Sequence, residues 1–200
     1  PRAFNRLSKA YLSDMPSRSF TMRDLGSRLE EWLRERPGFG GNNVALALDM
    51  VRLEWAHIEA FDGAAEKPLG PEGLLEPGPE LRLALQPHIA LLELRYPVDD
   101  LRIRAQQSTS RGPVRKMRLQ SAASEPIFLA VHRIDFTVFY RRLAAEEFRI
   151  LGALHGGAPV AEALDSLSEP GNIEAWFAAW SRMGWLCHPL CQTQPRDESA

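Results

Sequence analysis

The period of the apolar residues changes twice along this 200-residue chain, and that change limits the folds it can adopt. In the first third, apolar side chains recur every three or four residues, which is typical of amphipathic helices. After residue 80 the period becomes two, because Leu81, Leu83 and Leu85 alternate with other side chains as in a half-buried strand. From Leu143 the helical period returns. Helices before and after a group of strands predict an α+β protein.

Three helices are predicted in the N-terminal region, and Ser19 or Thr21 is expected to cap the second. Pro37 and Gly38 end that helix, and Asp49 and Arg52 lie off the apolar stripe of the third. We predict a helical module over residues 1–65 that lacks its first helices, since apolar periodicity begins almost at residue 1. The three apolar stripes are Phe4, Leu7, Ala10 and Tyr11; Leu25, Leu29, Trp32 and Leu33; and Leu48, Val51, Trp55 and Ile58.

The segment from Gly63 to Pro79 contains four glycines and four prolines, and we predict a connection over residues 66–79. Residues 80–200 are then expected to form an α+β domain with a small antiparallel sheet and winged-helix-like C-terminal helices. The polar, locally basic stretch from Gln106 to Pro126 is predicted to be a mobile loop. The predicted strands are 81–85, 89–96, 127–133 and 136–140, with a turn at Ile134-Asp135, and the predicted helices are 143–154, 160–167 and 172–183.

Charge and composition exclude several functional classes. The chain has 24 basic and 26 acidic side chains, and this balance argues against a nucleic-acid binder that depends on phosphate neutralisation. No apolar run approaches the roughly 20 residues that span a bilayer, and no secretory signal opens the sequence. Sparse cysteine use is typical of a reducing compartment. These features predict a soluble, cytoplasmic protein with no membrane partner.

No motif in the sequence makes a strong case for metal or catalytic chemistry. Cys187, His188 and Cys191 could supply three ligands, but a closed zinc site needs four and no second cluster accompanies them. A free-thiol tail after the last helix is therefore favoured. His132 beside Asp135 could suggest a base and its orienting carboxylate. Because Asp135 falls at the presumed turn, a structural or binding role for His132 is favoured over catalysis.

The two helices after the hairpin resemble a helix–turn–helix, which makes a DNA-binding transcription regulator the alternative hypothesis. A recognition helix should present basic or amide side chains to base edges. Here the second helix offers Glu162, Asp165 and Ser166, and the first adds Glu146 and Glu147. These acidic side chains argue against DNA binding, whereas the basic residues from 111 to 118 are its best support.

Several segments, taken in order, resemble one family of bacterial proteins. The N-terminal segments are Ser19–Gly26 (SFTMRDLG) and Met50–Ala56 (MVRLEWA). They are followed by Tyr96-Pro97-Val98, Val131-His132-Arg133, Tyr140–Phe148 (YRRLAAEEF) and the stretch from Trp176 to Trp185. Together they are similar to the HvfC/BufC peptide-modification chaperone family, which is related to the methanobactin partner subunit MbnC and whose helical domain was once labelled DNA-binding. The resemblance covers nearly the whole chain.

The resemblance implies a non-catalytic subunit that works with a TIM-barrel multinuclear iron oxygenase. In such a complex, cysteines of a ribosomally made precursor peptide become oxazolone, thioamide or thiooxazole groups linked to the handling of copper or other metals. The resemblance implies that iron resides in the partner and that this chain holds no cofactor. It also implies a helical domain that begins well before Phe4, and it assigns no role to Cys187 and Cys191.

Two candidate sites follow when the hairpin and the resemblance are combined. An exposed strand edge can accept an extended peptide through main-chain hydrogen bonds. We therefore expect the strand carrying Phe128, Ala130, His132 and Arg133 to bind the precursor peptide. The candidate interface with the oxygenase comprises Arg52, Trp55, Arg141 and Arg142.

Overall fold

The computed structural model describes residues 2–18, 22–70, 81–109, 121–165, 167 and 172–189. Within these ranges, helices and antiparallel strands occur together, so the predicted α+β class is confirmed. The helices are α1 (Arg2–Asp14), α2 (Leu29–Glu35), α3 (Val44–Asp62), α4 (Val98–Thr109), α5 (Ala145–His155), α6 (Val160–Asp165) and α7 (Ile173–Arg182). The strands are β1 (Ala84–Leu85), β2 (Ala90–Leu94), β3 (Ile127–Ile134), β4 (Thr137–Leu143) and β5 (Leu186–Cys187).

The described residues divide into two compact units that are interleaved in the sequence. The first contains residues up to 62 together with 90–142, and the second contains 63–89 together with residues from 143 onward. The predicted boundaries at 65 and 80 therefore need correction: β2 and β3 pack against α3 and belong with the N-terminal helices. Residues 66–70, predicted to lie in a connection, pack within the second unit, and 71–79 lie outside the described residues.

The main core of the first unit forms where α3 packs on the three-stranded sheet. Leu46, Leu53 and Ala60 of α3 are buried there, whereas the predicted stripe beginning at Leu48 and Val51 packs on another cluster. Apolar residues on both sides of α3 meet different partners, and a single stripe in the sequence cannot separate them. The sheet and α4 complete this core with Leu92, Leu94, Val98, Leu101, Leu129 and Val131.

The second cluster of the first unit is built around Trp32, which is fully buried with Leu33. The Tyr11 ring of α1 meets the Trp32 ring edge-on, with centroids 5.6 Å apart and an interplanar angle of 76°. The indole N–H of Trp32 donates to Asp14 Oδ2 at 2.9 Å, which satisfies its polar atom inside the cluster. The predicted first helix and the predicted core role of Trp32 are confirmed.

The sheet of the first unit has the order β2-β3-β4, so β3 is its central strand. Strands β2 and β3 are antiparallel, with Ala90 opposite Val131 and Leu94 opposite Ile127. The predicted hairpin is confirmed, but its turn consists of Asp135 and Phe136 and lies one residue later than predicted. Asp135 has φ +53°, a left-handed conformation that aspartate tolerates better than most residues.

Helix α4 is the element of the first unit that the sequence prediction missed. It begins after Pro97, with Asp99 and Asp100 in its first turn, where carboxylates favour the positive end of the helix dipole. It continues to Thr109, so the loop predicted from Gln106 is wrong for its first four residues. The basic residues Arg111, Arg115, Lys116 and Arg118 lie outside the described residues.

In the second unit, β1 and β5 form a short sheet, with Ala84 opposite Cys187. The amide of Leu69 donates to the carbonyl of Leu186 at 2.8 Å, which joins the segment after α3 to that sheet. Helices α5, α6 and α7 confirm the three predicted C-terminal helices to within two residues at each end. Of the helices described, none combines the length and apolar character needed to cross a bilayer.

Candidate functional site

The strand predicted to accept a peptide is β3, and its position contradicts the edge that the prediction requires. Strand β3 has β2 on one side and β4 on the other, so its main-chain groups are engaged within the sheet. An extended peptide adds to a sheet by hydrogen bonding to an open edge. Strand addition at Phe128, Ala130, His132 and Arg133 is therefore wrong as a mechanism for binding the precursor peptide.

Two of the four predicted side chains are also inaccessible, and a third is engaged by the main chain of α3. Ala130 is fully buried, and His132 is 3% exposed with its ring stacked on Phe139 at a centroid distance of 5.8 Å. The Arg133 guanidinium donates to the carbonyl of Phe61 at the end of α3. His132 therefore has a packing role, as the favoured reading of the sequence expected, and Asp135 lies in the turn.

One of the two sheet edges, β2, is covered by polar groups of the first unit. Arg52 donates to the carbonyl of Glu93 at 2.8 Å. Asp49 Oδ2 accepts from the amides of Arg95 at 2.7 Å and Tyr96 at 3.0 Å, just beyond the end of β2. Asp49, predicted to lie off the apolar stripe, is thus a buried cap for this edge. Its only sequence signal is a carboxylate within a largely apolar helix.

The other edge is β4, whose outward-facing groups follow from the hairpin geometry. A two-residue turn makes Ile134 and Thr137 a hydrogen-bonded pair, and pairs of this kind alternate along an antiparallel ladder. His132 then lies opposite Phe139, in agreement with their stacked rings. The main-chain N–H and C=O groups of residues 138, 140 and 142 consequently point away from β3.

Beside this edge lies an open cavity of about 470 Å³, here called the aromatic cleft. It is formed by the C-terminal half of α3, the middle of α4 and the start of the β3–β4 hairpin's second arm. All of its lining belongs to the first unit. The lining residues are His57, Phe61, Arg102, Ile103, Gln106, Phe136, Thr137, Val138, Phe139 and Tyr140.

Large apolar side chains around the aromatic cleft are exposed to solvent. Phe136 is 88% exposed, Phe61 49% and Ile103 40%. Single exposed apolar residues are ordinary, but a group that surrounds one cavity marks an interaction surface. The sequence prediction missed this group because its members come from three separate elements.

A hydrogen-bonded pair forms the polar part of the cleft. The Tyr140 hydroxyl and His57 Nδ1 are 2.7 Å apart, and the Arg102 guanidinium lies 5.7 Å from the centre of the Tyr140 ring. Burial raises the pKa of Tyr140 to about 12. Burial and the Arg102 charge lower the pKa of His57, so both groups are neutral at pH 7. Glu54 offsets the charge of Arg102 through a 3.0 Å ion pair.

The four residues predicted to meet the oxygenase are distributed over two elements. Arg52 and the half-buried Trp55 lie on α3, and the indole N–H of Trp55 donates to Glu59 at 2.8 Å. Arg141 and Arg142 lie on β4. Arg142 makes a two-pronged contact with the buried carboxylate of Asp99, at 2.9 and 3.0 Å. Arg52 and Arg142 therefore hold the fold together as well as offering charge at the surface.

The remaining sequence hypotheses concern the second unit. Cys187 is a free thiol, as predicted, but it is buried in β5 with its thiol 3.5 Å from the carbonyl of Leu85, so the predicted tail is wrong for this residue. Burial, with the nearby charge of Glu66, raises the pKa of that thiol. Cys191 lies outside the described residues. Among those described, no three His, Cys, Asp or Glu side chains are grouped as metal ligands.

The helix pair α5–α6 presents acidic groups, with one correction. Glu162 and Asp165 are exposed on α6, which has only six residues. Glu147, predicted to face solvent beside them, is instead 3% exposed and accepts a 2.9 Å hydrogen bond from the indole N–H of Trp180. Ser166, the third polar residue predicted on this helix, lies outside the described residues.

The candidate site is therefore the edge of β4 together with the aromatic cleft, and of its residues the predicted set contained Arg142, as part of the oxygenase interface. Its parts are a row of main-chain donors and acceptors on a strand that pairs on one side only among the described residues, an apolar wall and a neutral polar pair. This combination can bind an extended chain. No protein-family model matches this chain, and no curated protein matches it.

Proposed function

We propose that this protein is a non-catalytic accessory subunit that binds a ribosomally synthesised, cysteine-containing precursor peptide and a multinuclear iron oxygenase. Its role is to support conversion of peptide cysteines to oxazolone, thioamide or thiooxazole groups, in a process linked to metal handling. The oxygenase supplies the iron and the chemistry. The sequence resemblance motivates this proposal, and the open edge of β4 is the observation that carries it.

Strand β4 fits this role better than the strand first considered. A peptide added along β4 would form main-chain hydrogen bonds with residues 138, 140 and 142, at the usual spacing of about 4.8 Å between strands. The β2 edge is partly occupied, because Arg52 donates to the carbonyl of Glu93, and the main chain of Arg95, just beyond the strand, bonds to Asp49 and residue 123. Binding through the main chain suits a subunit whose ligand is a flexible peptide.

The oxygenase interface is proposed to include Trp55 and Arg141 together with the exposed parts of Arg52 and Arg142. Interfaces are enriched in aromatic and arginine side chains. The Arg142 side chain is 49% exposed although its guanidinium is bound to Asp99 and Asp100, so its exposed part can contact a partner.

Co-expression tests the proposal as a whole. The chain is expressed with the iron oxygenase and the cysteine-bearing precursor from the same gene cluster, with an affinity tag on this subunit alone. We expect the oxygenase and the precursor to co-purify with it, and cysteine modification to require all three components. A gene cluster that encodes neither partner, or full modification without this chain, contradicts the proposal.

A matched pair of variants tests the β4 edge. Val138→Pro removes one outward N–H, whereas Val138→Ala removes most of the side chain and keeps that N–H. We expect Val138→Pro to weaken precursor binding by about tenfold relative to Val138→Ala, the equivalent of ~1.4 kcal/mol for one hydrogen bond. Fluorescence anisotropy with labelled precursor measures the affinity, and circular dichroism checks that both variants fold. Equal affinities would exclude β4 as the peptide edge.

A further inference from the structure

Binding through the main chain of β4 does not by itself require a side-chain pocket, yet the aromatic cleft lies directly beside that edge. Residues 138 and 140 contribute to the cleft and also present their main-chain groups at the open edge of β4. Their side chains share the face of the sheet that packs on the α3 core. A peptide on β4 places alternate side chains on this same face, so every second side chain can reach over α4 toward the cleft.

We propose that the aromatic cleft is a specificity pocket for one uncharged aromatic side chain of the bound peptide. This inference rests on the proposed function and names the side-chain class that the site selects. The occupant enters from the β4 edge and packs against Phe61, Ile103 and Phe136.

The size and the walls of the cleft fit an aromatic ring. Its volume of about 470 Å³ lies near the lower end of ligand pockets, and it accommodates a single large side chain with the adjoining main chain. Phe61 and Phe136 offer exposed rings, and an aromatic guest gains offset or edge-on contacts beyond simple area burial. An aliphatic guest would bury area without those contacts.

The charge balance of the cleft excludes an ionised guest. Arg102, the cation in the lining, is paired with Glu54 at 3.0 Å. His57 and Tyr140 satisfy each other at 2.7 Å. A carboxylate or ammonium group would lose hydration on entry and would find its potential partners already engaged. A phenol or indole carries no charge, so it enters the cleft without the cost of desolvating an ion.

The test uses blocked amino acids as probes, because they carry one side chain between two neutral amides. The N-acetyl amides of Phe, Tyr, Leu, Asp and Lys are titrated into the full chain, and the methyl and aromatic NMR signals of Ile103, Phe61 and His57 are followed. We expect the Phe and Tyr probes to bind at least about tenfold more tightly than the Asp and Lys probes, with Leu between them. Equal binding of all five probes, or no response at these signals, overturns the proposal.

Two tryptophan substitutions provide the matched control. Ile103→Trp fills the cleft, whereas Ile134→Trp enlarges a similarly exposed residue, 44% against 40%, that does not line it. We expect the first to abolish binding of the Phe probe and the second to leave it unchanged. Retained binding in Ile103→Trp overturns the proposal. A second result would also overturn the proposal. If the native chain dimerises in a concentration-dependent way, Ile103→Trp removes that dimerisation and no probe binds, then the cleft is occupied by a second copy of the chain.

The outcome is separable from that of the proposed function. If precursor binding is sensitive to Val138→Pro but the probes show no aromatic preference, the peptide edge stands and the specificity pocket fails. If the probes show the preference but neither precursor nor oxygenase co-purifies, the pocket stands as a binding site and the accessory role fails.

Discussion

In the His57–Tyr140 pair, burial of the His57 side chain makes the stability of the fold depend on pH. Burial by the α3–β4 packing and the charge of Arg102 lower the pKa of His57 below its ordinary value of 6.5. The unfolded chain therefore binds more protons than the folded one between these two pKa values, and stability rises with pH across that window. At pH values above 6.5 the His57 contribution is complete, and it is lost as the pH falls toward the lowered pKa.

This linkage predicts the behaviour of His57→Gln. We expect the free energy of unfolding of the native chain to fall between pH 7.5 and pH 5, values spanning the ordinary histidine range. His57→Gln should lose less stability over the same interval because its side chain does not titrate. Urea unfolding at both pH values measures the difference. The exposed His155→Gln serves as the control, and a native pH dependence in His57→Gln would contradict the assignment.

At the scale of elements, the two edges of the three-stranded sheet differ in how their main-chain groups are hydrogen-bonded. At β2 the outer carbonyl of Glu93 is bonded by Arg52, and the amides that follow the strand are bonded by Asp49, whereas β4 pairs with β3 alone among the described strands. Covered edges resist unwanted pairing, and an edge left open beside an apolar surface is available for recognition. The polar side chains of α3 bond to the main chain at the β2 edge, and this leaves β4 as the strand that can receive a partner.

Asp49 should be a principal stabilising residue of the covered edge. Asp49→Ala leaves the amides of Arg95 and Tyr96 without their acceptor, and we expect a loss of about 2–3 kcal/mol in the free energy of unfolding. Asp49→Asn keeps an acceptor oxygen and should lose about 1 kcal/mol. Urea titrations measure both, with the exposed Glu31→Ala on α2 as the control. A loss no larger than that of Glu31→Ala in both variants would exclude the cap role.

Sequence reasoning predicted the elements with strong local patterns. The first helix, the β3–β4 hairpin and the C-terminal helices were found because periodicity, glycines and prolines mark them locally. Helix α4 was missed because its exposed residues from 103 to 107 are largely polar and carry little apolar period. The short strand β5 was missed because two residues make no pattern, and its partner β1 lies about a hundred residues away in sequence.

The candidate site could not be predicted from the sequence because it depends on contacts between segments that are distant in the chain. Whether β3 or β4 forms the edge depends on β2 pairing with β3, a contact that no local pattern encodes. The aromatic cleft likewise combines Phe61, Ile103 and Phe136 from segments that are far apart in the chain. The hairpin was predicted correctly, and the choice of strand within it was wrong.

At the scale of the whole molecule, the interleaved units change the expected behaviour of fragments. Residues 1–65 were predicted to be a module, yet Leu46, Leu53 and Ala60 bury their side chains against partners that come after residue 89. We expect the isolated fragment 1–65 to lack a cooperative thermal transition, because this face of α3 would be exposed to water. Fragment 1–142 contains the missing partners and should unfold cooperatively. Circular dichroism melts measure both, and a cooperative transition in 1–65 would contradict the division into units.

The interleaving also sets an order of events during protein synthesis. The ribosome releases residues 63–89, including β1, long before β5 and the C-terminal helices that share their unit. All residues of the first unit have been synthesised once residue 142 has emerged, so this unit can fold at that stage. Residues 63–89 of the second unit still lack the partners that follow residue 142. Buried residues such as Leu83 and Leu85 therefore lack their β5 partner on the nascent chain for the time needed to make about a hundred further residues. We expect ribosome-associated chaperones to bind these apolar residues during that interval.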